Sequence, residues 1–162
     1  MSRGEQTNGP VVRFKGVSLG YGRAAIMRDV TFSIAEGDFL GIIGPNGSGK
    51  TTILRAILRM LDPARGSVVI REGLRFGYVM QRQALDEIFP LNVQDIVSMG
   101  RLGRVGPLRR FGRDDLDRVE EALSITGIAD LRREPYRDLS GGQKQRVLVA
   151  RALAFDPEVL LL

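Results

Sequence analysis

Two hydrophobic rhythms run along this chain, and the points where they change mark its elements. Residues 11–14 predict a strand, and Val30, Phe32 and Ile34 alternate with polar neighbours as a half-buried strand does. Residues 39–43 form a continuous apolar run that breaks at Gly44, the pattern of a strand buried on both faces. The spacing then becomes helical. Ile53, Leu54, Ile57, Leu58 and Leu61 predict a helix over 51–61, stopped by Asp62-Pro63-Ala64-Arg65-Gly66. Residues 68–70 and 76–80 predict two more strands. Asn92-Val93-Gln94-Asp95 reads as a capping box opening a short helix to Met99. Residues 114–125 predict an amphipathic helix with Leu116, Val119 and Leu123 on one face and its acids in the first turn, where the helix dipole favours them. Ser140 is placed to cap a helix running to about Phe155, and 159–162 is a buried-strand pattern. Residues 1–10 are polar and Gly-rich and read as a flexible tail.

Composition narrows the possibilities. The 162 residues amount to one domain or somewhat less, and 43% are hydrophobic, enough for a packed core. Cysteine and histidine are absent, which excludes disulfides, thiolate or imidazole metal sites and any catalytic triad using histidine within these residues. No apolar stretch approaches the roughly 18 residues of a membrane span. Net charge is +5, carried by Arg far more than Lys. That excess is modest. With Arg101, Arg104, Arg109, Arg110 and Arg113 set among Gly and Pro, residues 100–113 read as a basic, solvated loop.

The candidate chemistry starts where the apolar run breaks. Gly44-Pro45-Asn46-Gly47-Ser48-Gly49-Lys50-Thr51-Thr52 is a complete phosphate-binding loop, with a strand pattern before it and a helix pattern after. Glycines let backbone N–H groups turn inward onto phosphate oxygens, and the following helix adds its N-terminal partial positive charge. Lys50 is expected to reach the β- and γ-phosphates, and the Thr51 hydroxyl to ligate Mg²⁺. A second Gly-rich helix start stands at Leu139-Ser140-Gly141-Gly142-Gln143. A capping Ser followed by two glycines presents bare N–H groups at a helix N-terminus, another anion site.

That pentapeptide, followed by Gln145-Arg146 and Ala150-Arg151-Ala152-Leu153, resembles the signature of the ATP-binding-cassette (ABC) family. The resemblance covers nearly the whole chain after residue 10. It implies an α/β fold: a P-loop NTPase core with a mostly parallel sheet, an antiparallel N-terminal β-subdomain and a helical signature subdomain at about 85–145. Residues 11–162 would be a partial nucleotide-binding domain. It implies that Tyr21 stacks on adenine, that Thr52 stabilises the loop or an α-phosphate beside Thr51, and that Gln81 contacts Mg²⁺ or the attacking water. It also implies a head-to-tail homodimer or paired cassette, in which residues 139–143 of one copy close over the ATP of the other.

Residues 86–101 are similar to the subfamily that powers import of metal ions or metal chelates. The function implied is then the ATP-binding subunit of an importer that binds and hydrolyses ATP with Mg²⁺. Its partners would be an integral membrane permease and, indirectly, a solute-binding protein, with no nucleic acid. It would lie peripherally on the cytoplasmic face of the cell membrane. A soluble ABC ATPase acting on ribosomes or DNA is the alternative. In the family, the strand at 159–162 is followed by an Asp, a catalytic Glu and a switch His. None of these stands in residues 1–162, so the catalytic set is incomplete. The expectation is a chain that binds ATP without hydrolysing it, with an exposed apolar edge and poor solubility.

Overall fold

The computed structural model describes residues 9–21, 24–79, 90–105 and 110–162. They fall into two compact units, Met1–Leu74 and Arg75–Leu162.

The first unit is built on an antiparallel sheet. β1 (Val12–Tyr21) lies between β2 (Ala24–Ile34) and β3 (Arg65–Ile70). Its register is fixed by pairs such as Val12↔Ile34 and Phe14↔Phe32 on one side and Val12↔Ile70 on the other. β1 is longer than the expected 11–14 because the ladder with β2 continues across three register shifts. Gly16 adopts φ 54° and Asp29 φ 53° at a register shift, and Thr31 Oγ1 accepts the Gly16 N–H at 2.9 Å. The strand thereby keeps Val12, Phe14, Val17 and Leu19 buried across the kinks. Phe14 stacks on Phe32 with ring centroids 4.5 Å apart.

One helix, α1 (Lys50–Ile57), packs against β1 and β3 and buries Thr52, Ile53, Ala56 and Ile57. It ends four residues before the expected 61. Arg59 turns left-handed at φ 56°. The Met60 N–H then reaches back to the Arg55 carbonyl at 2.8 Å and the Arg59 N–H to that of Ala56 at 3.1 Å. This is a Schellman closure formed with Arg in the place glycine usually takes.

The run 39–43 departs further from expectation. It joins no ladder, and Phe39 and Ile43 are 96% and 97% exposed. Apolar continuity marks a segment fit for burial between two neighbours. Among the described residues no strand pairs with it, so its apolar side chains stay bare.

In the second unit a parallel pair, β4 (Phe76–Tyr78) and β5 (Val159–Leu161), is joined by a long helical crossover. The crossover holds α2 (Val93–Ser98), α3 (Leu102–Val105), α4 (Arg113–Ile125) and α5 (Gly141–Ala154). α2, α4 and α5 pack on one another around Val93, Ile96, Val97, Val119, Leu123, Ile128, Val147 and Ala150. On α4, Ala122 is buried with Val119 and Leu123, while Leu116, expected on that face, stays half-exposed. A turn of 3-10 helix over Met99–Arg101 runs into α3, so 100–105 is not the solvated loop the arginines suggested. Arg101 is in fact only 4% exposed. Its guanidinium grips Asp115 Oδ1 through Nε at 2.8 Å and Nη2 at 2.7 Å, and donates from Nη1 to the Ala154 carbonyl at 3.0 Å. It therefore ties the start of α4 to the end of α5.

Candidate functional site

The helix starts of this chain are finished in two different ways. α2 opens with a complete capping box, Asn92 Oδ1 accepting the Asp95 N–H at 2.8 Å and Asp95 Oδ2 accepting the Asn92 N–H at 3.1 Å. At α4, Asp115 reaches back to the Gly112 N–H at 3.0 Å. α1 has neither device: its N-cap is Gly49, no side chain caps it, and its first turn holds no acid. Its leading N–H groups and partial positive charge are therefore left for an anion.

The loop before α1 is shaped for that role. Gly47 and Gly49 take φ of 82° and 94°. At Gly49 a Cβ would also lie 2.7 Å from Met27 Sδ and 3.1 Å from Ile26 Cγ2, so backbone and packing both demand glycine. A Cβ on Gly44 would fall 2.7 Å from Ser48 Oγ, inside the cradle. Lys50 Nζ donates to the carbonyls of Gly44 and Pro45, each at 2.8 Å. The ammonium thus rests against its own loop, holding it closed around the space where phosphate oxygens would sit. Pro45, Asn46 and Thr51 are exposed beside it, and Thr52 is buried beneath α1.

Tyr21 ends β1 in the same unit. The residue is 47% exposed, and Arg55 Nη1 donates to its hydroxyl at 2.6 Å. Sequence reasoning passed over Arg55. The two residues are 34 positions apart, and a single basic residue on the polar face of a helix carries no signal of its own.

In the second unit the expected cap is present. Ser140 Oγ accepts the Gln143 N–H at 3.3 Å, and Gln143 Oε1 accepts the Ser140 N–H at 2.8 Å. Leu139 anchors this tip in the core while Ser140 and Gly142 face outward, and a Cβ on Gly142 would meet nothing within 4 Å. Side-chain capping thus satisfies two N–H groups and leaves those of Gly141 and Gly142 pointing out of an open helix end. Gln81 lies outside the described residues.

No group of three or more Asp, Glu, His or Cys gathers among the described residues. Thr51, the residue expected to meet Mg²⁺, is exposed at the start of α1 and offers a hydroxyl oxygen of the kind that cation accepts beside phosphate oxygens and water. No helix among the described residues is long and apolar enough to cross a membrane.

The fold and this loop define a P-loop α/β protein. The sequence profile of the family described as ABC transporter matches residues 27–162, and the chain belongs to that family. It is similar to the manganese transport system ATP-binding protein MntB of Bacillus subtilis, 37% identical over 154 residues that cover 91% of this chain and 62% of that protein. The zinc import ATP-binding protein ZnuC of Ruegeria pomeroyi is 40% identical over 155 residues, 96% of this chain and 56% of that protein. A solved ABC transporter assigned to the metal-chelate type, in an inward-facing conformation, matches with a TM-score of 0.81 at 26% identity, over 93% of this chain and 58% of that one. The chain spans about three fifths of the length of these curated relatives.

Proposed function

We propose that this chain is the nucleotide-binding part of an ATPase subunit that powers uptake of a transition-metal ion or its chelate. The observation that carries the proposal is the uncapped start of α1 behind a glycine cradle closed by Lys50. The names of the relatives supply the metal.

In this reading a nucleoside triphosphate lays its β- and γ-phosphates in the loop 44–49, where backbone N–H groups replace water as donors. Lys50 exchanges its bonds to the Gly44 and Pro45 carbonyls for the phosphates. Thr51 holds Mg²⁺, which when bound neutralises phosphate charge. Tyr21 stacks on the base. Residues 139–143 of a second, head-to-tail copy close over the γ-phosphate with the outward N–H groups of Gly141 and Gly142. Gln81 reports the state of the site to a membrane permease through a helical subdomain at about 85–145. The assembly lies on the cytoplasmic face of the membrane.

Two measurements test it. Titration calorimetry of the chain with MgATP is expected to show binding, and Lys50→Ala to weaken it at least tenfold, since one charge-assisted bond to phosphate is worth about 1.5–3 kcal/mol. A polypeptide of residues 1–162 contains no His, and no acid follows β5 within it, so it is expected to bind MgATP without turnover. Phosphate release that disappears in Lys50→Ala would overturn that second expectation, and absence of any nucleotide affinity would overturn the first.

A further inference from the structure

We infer that Arg55 is a positioning residue for the base: it pins Tyr21 by its hydroxyl so that the ring meets the nucleotide as a preset platform. The inference rests on Tyr21 being the stacking residue proposed above. Tyr21 is the last residue of β1, and its ladder partner is Ala24. A ring so placed, with 47% of the residue exposed, would swing among rotamers, and a base stacking on it would have to immobilise it first.

Arg55 removes that freedom. It projects from α1, the helix whose first residue is Lys50, so base platform and phosphate cradle are fastened to one rigid element. The contact has the geometry of a pin and not of a lid. Nη1 donates to the Tyr21 hydroxyl at 2.6 Å, while Cζ lies 5.9 Å from the ring centroid. A guanidinium stacked on the ring would lie at about 4 Å, the ordinary contact distance. At 5.9 Å, bonded to the oxygen, it sits off the hydroxyl edge and leaves the ring face to a ligand. Arg55 has no carboxylate partner among the described ion pairs, so the tyrosine hydroxyl is its anchor.

The test separates base from phosphate. Wild-type chain, Arg55→Met, Arg55→Lys, Tyr21→Phe, Tyr21→Ala and the double variant Tyr21→Phe/Arg55→Met are titrated with MgATP and with magnesium tripolyphosphate. Tyr21→Phe keeps the ring and removes only the accepting oxygen, so it cannot act by collapsing the fold. Arg55→Met and Tyr21→Phe are each expected to weaken MgATP about three- to tenfold, the value of one such hydrogen bond. Tripolyphosphate affinity is expected to stay within about twofold, as ordinary for a group that does not touch it. The double variant is expected to lose no more than either single one, and Arg55→Lys, which keeps a donor, to recover part of the loss. Equal weakening of both ligands by Arg55→Met would overturn the inference, because Arg55 would then serve the phosphates or the fold. So would unchanged MgATP binding in Arg55→Met and Tyr21→Phe while Tyr21→Ala weakens it, which would leave the stacking role intact. If Tyr21→Ala fails to change the ratio of the two affinities, stacking itself is wrong and the inference falls with it.

Discussion

At the residue scale the most consequential side chain outside the phosphate loop is Arg101. Its charge is almost fully removed from water, and burying a charge is tolerated only with a well-made partner. Asp115 supplies one, its Oδ1 accepting from both Nε and Nη2, and the same carboxylate closes the start of α4 through its other oxygen. The Ala154 carbonyl takes a further N–H at the end of α5, where the helix dipole favours a cation. Replacing Arg101 by Met removes the charge, leaves Asp115 facing an apolar group and orphans the Ala154 carbonyl. A loss of about 3–5 kcal/mol is expected, read as a lower midpoint in urea unfolding. Arg118→Ala is the control. Arg118 also makes ion pairs, to Glu121 at 2.9 Å and Asp156 at 3.9 Å, but at the surface. The midpoint is expected to stay where it is. A small shift for Arg101→Met would mean that its pocket admits water after all.

At the element scale, what the sequence reveals is what its chemistry settles locally. The capping box at Asn92 and the capping Ser140 could be read because donor and acceptor are three residues apart, and the structure forms both and adds the return bond from Gln143. The phosphate loop could be read for the same reason, its glycines and Lys50 lying within one turn of chain. Arg101 could not, because its partners are 14 and 53 residues away and burial rather than composition decides its role. The end of α1 was misplaced because Asp62-Pro63 looked like the stop, whereas the helix closes at a left-handed Arg59 that no propensity favours. That closure invites a direct measurement. Left-handed backbone strains a residue with a Cβ by about 1–2 kcal/mol, offset in part by the extra freedom glycine gives the unfolded chain. Arg59→Gly is therefore expected to stabilise the chain by about 0.5–1 kcal/mol, seen as a higher thermal midpoint with nucleotide affinity unchanged. Destabilisation would show that the Arg59 side chain contributes more than its backbone costs.

At the scale of the whole molecule, the run 39–43 sets the chain's behaviour in solution. Its pattern is that of a strand covered on both faces, yet Phe39 and Ile43 stand almost entirely in water and Leu40 is half-exposed. Among the described residues their backbone N–H and C=O groups join no ladder, and an apolar, unpaired segment is a template for pairing with another chain. The phosphate loop follows directly. Two consequences separate this state from one in which the segment is packed. The chain is expected to self-associate with rising concentration, as light scattering would register. The double variant Phe39→Ser/Ile43→Ser is expected to reduce that association while moving the unfolding free energy by no more than about 0.5 kcal/mol, because side chains already in water lose no burial on replacement. A packed strand would behave in the opposite way. Deleting two large apolar side chains from it would cost several kcal/mol, on the order of 2–5 for each truncation in a core. A large loss of stability in the double variant would therefore show that the run is covered in solution by another segment or another molecule.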